Sequence, residues 1–272
     1  MNAIVEYFQH IPSLHRALII AGGITVFWLV ESAVPLFTFQ YNKWKHAGIN
    51  FFFTFTTIAI NFVFALLIVF TSDWYLQHHF GVLQWIAMPV WLQMIVGLML
   101  MDLIGAWLIH YIEHKVKWMW KFHTIHHSDT HVDTTTANRH HPGESVFRAV
   151  FTTIAVFICG APLWLLFLYQ SLSVVLSQFN HANIKMNERL DKTLRYIIVT
   201  PNMHRIHHHY IRPETDTNYG NIFPFWDKLF GTYCKTPVKD IHYGLDVLEG
   251  RNDEDVKDLL KIPFGNSIKT DY

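Results

Sequence analysis

The sequence predicts an all-α fold. It reads as an integral membrane helical bundle with a cytoplasmic helical cap that carries clustered histidines, with residues 1–272 forming one domain. Three observations predict it. Hydrophobic residues make up 51 % of the chain and charged residues only 15 %, against about 25 % charged in an average soluble domain. Several apolar runs reach the roughly 20 residues that a helix needs to cross a bilayer. His-x-x-His-His is spelled twice, in KFHTIHH (121–127) and NMHRIHH (202–208), and HYIEH stands at 110–114.

Taken in order, the first apolar run is Ala17–Phe39, interrupted by Glu31. No basic stretch of the kind that opens a signal peptide precedes it, so it reads as a retained anchor. The second is Ile49–Phe70, with Asn50 and Asn61 inside it. These asparagines, like Gln93, read as packing between helices before they read as a lipid path. The third is Val82–Ile109, containing Gln93 and Asp102. Its roughly 28 residues make about 42 Å of helix, longer than the roughly 30 Å hydrocarbon core. Its end therefore projects, with His110 and His114 at a height a bilayer lipid can reach. The fourth apolar region, 149–179, is broken by CGAP at 159–162. Proline has no amide donor and clashes with the preceding turn, so this region reads as a hairpin that enters the membrane and returns. Its arms are short, which leaves a full crossing open.

Lys43 and Lys45 follow the first span, 71–81 has no Lys or Arg, and 110–148 holds Lys115, Lys117, Lys121, Arg139 and Arg148. The positive-inside rule places the 40–48 loop and 110–148 in the cytoplasm. The hairpin then returns 181–272 to the same side, so all the histidine clusters share one face. A formal net charge of zero gives a nucleic-acid partner no support. The two cysteines, Cys159 and Cys234, suggest neither a disulfide framework nor a thiolate metal site.

On a helix His110 and His114 share a face, as do His123 with His126 or His127, and His204 with His207 or His208. Eight imidazoles can thus converge, and His181, in QFNHAN after the hairpin, is a ninth candidate. That number is too large for one ion and natural for two. Imidazole suits zinc, copper, iron and nickel, so ligand type alone does not choose the metal. A single HxxxH is commonly a solvated helix face; two HxxHH boxes with an HxxxH on one side of a membrane are not. His131, His140, His141 and His209 lie near enough for a supporting role. His10, His15, His46, His78, His79 and His242 read as ordinary surface or interface residues. A rival reading takes HYIEH as the inverted zinc-protease signature, with His110 and His114 on zinc and Glu113 as base. It would make a membrane metallohydrolase, but it leaves the other two boxes unexplained. A non-catalytic metal-binding membrane protein is a third reading. Transport would spread ionisable residues through the membrane depth, whereas here they gather at one end.

HYIEH, HTIHHSDTHVDTTTANRHHPGE and HRIHHHYIRPETDTNYGNIFPFWDKLFGTY together resemble the fatty acid hydroxylase/sterol desaturase superfamily of histidine-box oxygenases. The match extends over about 95–235, with the box-bearing part at 100–235. The tail DTNYGNIFPFWDKLFGTY is similar to the subgroup that includes alkylglycerol monooxygenase and bacterial sterol-desaturase-like proteins. The resemblance implies a pair of iron ions, which purified protein can carry as zinc, and O2 as co-substrate. It implies hydroxylation, or desaturation, of a lipid C–H bond. On that basis His110, His114, His123, His126, His127, His181, His204, His207 and His208 would ligate metal, with no catalytic residues beyond them. Asp102, Glu113, Asp129 and His141 are candidates to orient the ligand rings. The reaction needs two outside electrons, and the chain has no dinucleotide fingerprint, haem-attachment motif or cysteine set. A separate reductase, ferredoxin or cytochrome is therefore implied. The stretch DVLEGRNDEDVKDLLKIPF (246–264) reads as a short polar amphipathic helix with no catalytic signal.

Overall fold

The computed structural model describes residues 1–237, 240–250 and 253–265. Among these the structure is helical, with an antiparallel bridge between Pro35 and Ile184 in place of any strand. A short α1 (Asn2–Gln9) leads into α2 (Ser13–Ala33) and the 35-residue α3 (Lys43–Gln77). One turn, α4 (Val82–Trp85), precedes α5 (Val90–Asp102). A widened π-type turn at Leu103–Leu108 joins α5 to α6 (Ile109–Lys115), so Val90–Lys115 is one rod. Then come α7 (Lys117–His127) and the hairpin of α8 (Pro142–Cys159) and α9 (Leu163–His181). Short elements complete the chain: α10 (Glu188–Leu194), α11 (Pro201–His207), α12 (Phe225–Leu229) and α13 (Val256–Lys261).

Five of these are long and apolar enough to cross a membrane: α2, α3, the α5–α6 rod, α8 and α9. Phe55, Phe62 and Phe70 on α3 are each more than 70 % exposed, a surface that lipid chains satisfy and water does not. The chain is thus an integral membrane protein. Each spanning helix has one end at the same pole. His110 and His114 end the rod, His141 caps α8, His181 ends α9, Glu31 ends α2, and His46 and Asn50 begin α3. The short helices cover that pole.

The first run leaves its helix after Ala33, and Leu36 and Phe37 are instead held by Asn183. The third run does not start at Val82. Pro89 has no amide to give a preceding turn, and the rod begins only after it. The hairpin reaches the far pole. Its arms, 18 and 19 residues, span about 27–28 Å. Its tip, where Gly160 takes a left-handed cap (φ 64°), lies against Phe80 and Gly81 beyond the far end of α3. Gln84 Nε2 donates to the Gly160 carbonyl at 2.9 Å, and the Tyr75 hydroxyl donates to the Ala161 carbonyl. Tyr75, Leu83, Met101, Val156, Leu165 and Tyr169 form the core at this level. In the expected 246–264 helix only Val256–Lys261 is α-helical, and Arg251 and Asn252 lie outside the described residues. Leu248, Leu259 and Ile262 there, with Leu245 just before, pack on Trp120 and Ile125, behind the second box.

Candidate metal centre

The doubled histidines make geometric sense once α7 and α11 face each other. Successive helical residues point about 100° apart, so His126 and His127 cannot serve one point, but they can serve two neighbouring points. The same holds for His207 and His208. The nine imidazoles fall into two buried groups. His110, His114, His123, His127 and His207 converge, as do His126, His181, His204 and His208; within each group the ring nitrogens lie within 4.8 Å of one another. Each HxxHH box contributes to both groups. His127 and His208 stack at 4.7 Å between ring centres where the groups adjoin.

Hydrogen bonds fix the tautomers. His110 Nδ1 faces the Tyr219 carbonyl at 2.9 Å, His207 Nδ1 the Thr217 carbonyl at 2.8 Å, and His181 Nδ1 the Ser177 carbonyl at 2.7 Å. A carbonyl only accepts, so each Nδ1 carries the proton and donates. His123 Nδ1 donates to Glu144 Oε1 at 2.8 Å, and His114 Nδ1 to Asp216 Oδ1 at 3.2 Å. In a neutral ring the lone pair is then on Nε2, pointing inward. His110 Nε2 and His123 Nε2 meet at 3.1 Å; His181 Nε2 lies 3.2 Å from His126 Nε2 and 3.1 Å from His204 Nε2. In the pair His110–His123 both atoms are lone-pair bearers with no proton to share, a repulsive contact unless a cation lies between. His114 Nε2 and His207 Nε2 are buried without partners.

A metal fits this donor set. Two nitrogens about 2.0–2.1 Å from one ion, subtending a right or tetrahedral angle, stand about 2.9–3.4 Å apart. The four Nε2 contacts, counting His123–His127 at 3.1 Å, fall in that range. Burial, and after it the neighbouring imidazoles, push His123, His126, His127, His204, His207 and His208 well below the ordinary 6.5. They are neutral at pH 7, the form that ligates.

Around the rings stands a set of charges. Glu144 Oε1 accepts from His123, from His140 Nδ1 at 2.7 Å and from Arg148 Nε at 2.9 Å. Arg148 also donates to Glu113 Oε2 at 2.7 Å, and Glu113 lies 3.9 Å from His123. Burial opposes the ionisation of Asp216, but His114 and Lys115 outweigh it and hold the carboxyl well below its usual range. The other named candidates sit elsewhere. Asp102 accepts the Ile222 and Phe223 amides and the Trp226 indole N–H, touching no box imidazole. Asp129 accepts from His46 at 2.9 Å and from the Thr136 hydroxyl; it buttresses the 128–141 loop between α7 and α8. His141 caps α8 by accepting the Gly143 amide. HYIEH does not stand alone as a two-histidine site: its histidines join three others, and Arg148 ties Glu113.

Sequence reading missed Glu144, Arg148, Asp216 and the buried His46. Glu144 and Arg148 form an i, i+4 pair on α8, a spacing visible in HHPGESVFR but indistinguishable there from a surface ion pair. Asp216 is 102 residues from its partner His114, and no local pattern joins them.

Comparison with known proteins puts this geometry in context. The family model described as fatty acid hydroxylase matches residues 94–232. The chain is 30 % identical over 159 residues to an ornithine lipid hydroxylase of Rhizobium tropici, covering 58 % of this chain and 46 % of the relative. It is 33 % identical over 148 residues to the alkylglycerol monooxygenase of Homo sapiens, covering 52 % and 30 %. It is 24 % identical to the cholesterol 25-hydroxylase-like protein 1, member 2, of Danio rerio, covering 54 % and 53 %. The chain thus spans about half the length of these relatives or less. No solved structure matches it.

Proposed function

The chain belongs to the fatty acid hydroxylase family, and on that premise we propose that it is a membrane-bound lipid hydroxylase working with two iron ions, O2 and an external electron donor. The observation that carries this reading is the pair of buried imidazole groups, in one of which the His110 and His123 Nε2 lone pairs face each other with no proton between them. One ion would be held by His110, His114, His123, His127 and His207, the other by His126, His181, His204 and His208. When bound, the irons supply the reduction of O2 and the oxidation of the C–H bond.

The chain's own residues do the rest. The Tyr219, Thr217 and Ser177 carbonyls and Glu144 hold Nδ1 protons in place, so four rings present fixed Nε2 atoms. Glu113 and Glu144 share the Arg148 cation and Asp216 pairs with Lys115, so this set leaves one negative charge against the positive charge that nine neutral imidazoles leave uncompensated. Burial of all nine rings excludes water from the reacting region. The pole carrying the site ends a lipid-exposed bundle, so the substrate is a bilayer lipid that extends a chain or headgroup toward it. Hydroxylation is favoured over desaturation because the three relatives are named hydroxylases or monooxygenases.

The site-bearing pole faces the cytoplasm. Lys43, Lys45, Lys115, Lys117 and Lys121 lie at it, whereas at the other pole residues 1–12, 78–89 and the hairpin tip contain no Lys or Arg, against Arg16 in the first turn of α2. The test of the activity is 18O2 incubation of membranes holding the protein, a reductase and native lipid extract. A lipid product carrying one 18O supports the reading. A product with unlabelled oxygen, or cleavage with water incorporated, overturns it in favour of hydrolysis.

A further inference from the structure

Residues 220–230 do not stay on the polar cap. Ile222, Phe223 and Trp226 bond to Asp102, and Asn221 Nδ2 reaches Ser173 Oγ at 2.8 Å. Asp102 lies eight residues before His110, and Ser173 eight before His181. At about 1.5 Å per residue the segment therefore descends about 12 Å below the imidazoles, alongside two spanning helices. Irregular backbone at such depth is tolerated only where its polar groups are satisfied within the protein, and here they are. Asp102 takes two amides and one indole N–H, while Asp227 takes the Tyr219 and Gly220 amides, the Trp107 indole and the Thr232 hydroxyl. Asn180 Nδ2 donates to the Asn221 carbonyl at 2.8 Å. The polar groups turn inward and the apolar ones outward. Phe225 is 46 %, Leu229 58 % and Phe230 50 % exposed, next to Tyr196 and Ile197 at 81 % and 68 %. Lys228 ties the two stretches, donating to the Arg195 carbonyl at 2.9 Å and lying over the Tyr196 ring.

We propose that 220–230 is a re-entrant segment embedded in the bilayer leaflet beside the site. Phe225, Leu229 and Phe230 lie among lipid chains, and Lys228 and Tyr196 lie toward the headgroups. The occupant of this face is lipid, because the patch continues the lipid-exposed surface of the spanning helices at the same depth and is inverted in the way a membrane requires. Tyr219, which packs on His110, His114 and His207, immediately precedes this segment, so the chain links leaflet and metal groups directly.

The test is nitroxide depth measurement in phosphatidylcholine–phosphatidylglycerol vesicles. Phe225→Cys and Leu229→Cys are each labelled in a Cys234→Ser background, Cys159 being buried. Phe62→Cys serves as the lipid-facing reference and Lys192→Cys as the aqueous one. The proposal expects both labels to be relaxed by O2 more than by a water-soluble nickel chelate, as at position 62, with 225 deeper than 229. Accessibility to the nickel chelate as high as at position 192 overturns it. Spin–spin broadening between labels on separate chains also overturns it, in favour of a contact between copies. A label shielded from both relaxers would mean protein covers the patch and overturns it too. None of these results depends on the protein's activity, and chelator-stripped or zinc-loaded protein keeps paramagnetic iron from relaxing the labels.

Discussion

Replacing Glu144 with Ala tests whether the carboxylates around the rings set metal affinity. Glu144 Oε1 fixes the His123 tautomer and also accepts from His140 and Arg148. Without it, the His123 proton is free to move to Nε2, which removes the lone pair from the His110, His114, His123, His127, His207 group. Removing such a partner typically costs 10–100-fold in metal affinity, or about 1.4–2.8 kcal/mol. The fold should survive the change, because Arg148 keeps Glu113 at 2.7 Å and the buried charges then pair one to one. His126, His181, His204 and His208 do not touch Glu144, so their affinity should move less. Glu144→Gln keeps an acceptor for His123 and should recover part of the loss. The assay is competition with a coloured chelator on detergent-purified protein, read as two affinities per chain. A 10–100-fold weakening of one of them, partly restored in the Gln variant, is expected. Equal weakening of both, or no change in either, would refute the reasoning.

Further outcomes follow from other parts of the molecule. His46→Ala leaves the fully buried Asp129 without its main cationic partner; breaking a buried pair costs about 3–5 kcal/mol, and thermal unfolding should show a Tm drop of several degrees with little loss of far-UV helicity beforehand. The six box imidazoles outside the spans have folded pKa values depressed below 6.5. The unfolded chain therefore binds more protons as pH falls below about 6.5. The stability of chelator-stripped protein should be full above that pH and decline below it, by at most about 1.4 kcal/mol per pH unit for each ring; a Tm flat between pH 8 and 5.5 would count against this. Gly81→Ala places a Cβ 2.5 Å from the Gly160 backbone at a φ of 106°, so it should loosen the hairpin tip by more than the roughly 1 kcal/mol of a left-handed non-glycine residue. Faster proteolysis or amide exchange around 78–89 and 159–163 would report it.

Much of this was legible in the sequence because the signals are local. Apolar length marks spanning helices, and His-x-x-His-His marks imidazoles on adjacent faces of one turn. The count of nine clustered rings, too many for one ion, is likewise read directly from the sequence. What the sequence could not convey depends on distant pairing. Asp102 looked like a partner for a ring because it precedes His110 on the same helix, but the widened turn at Leu103–Leu108 intervenes, and its carboxylate serves a segment 120 residues on. His46 looked isolated because its partners Asp129 and Asp133 are more than 80 residues away. The hairpin's full depth rests on a glycine-to-glycine contact between Gly81 and Gly160, which no periodicity announces.

The central claim is that two ions occupy two histidine groups, and metal content per chain measures it most directly. Protein expressed with iron and purified without chelators should hold two metal ions per chain. His207→Ala and His126→Ala should each lower that number toward one, and the double variant should approach zero. One ion per chain that is retained after both substitutions and lost only with His110→Ala would contradict the account.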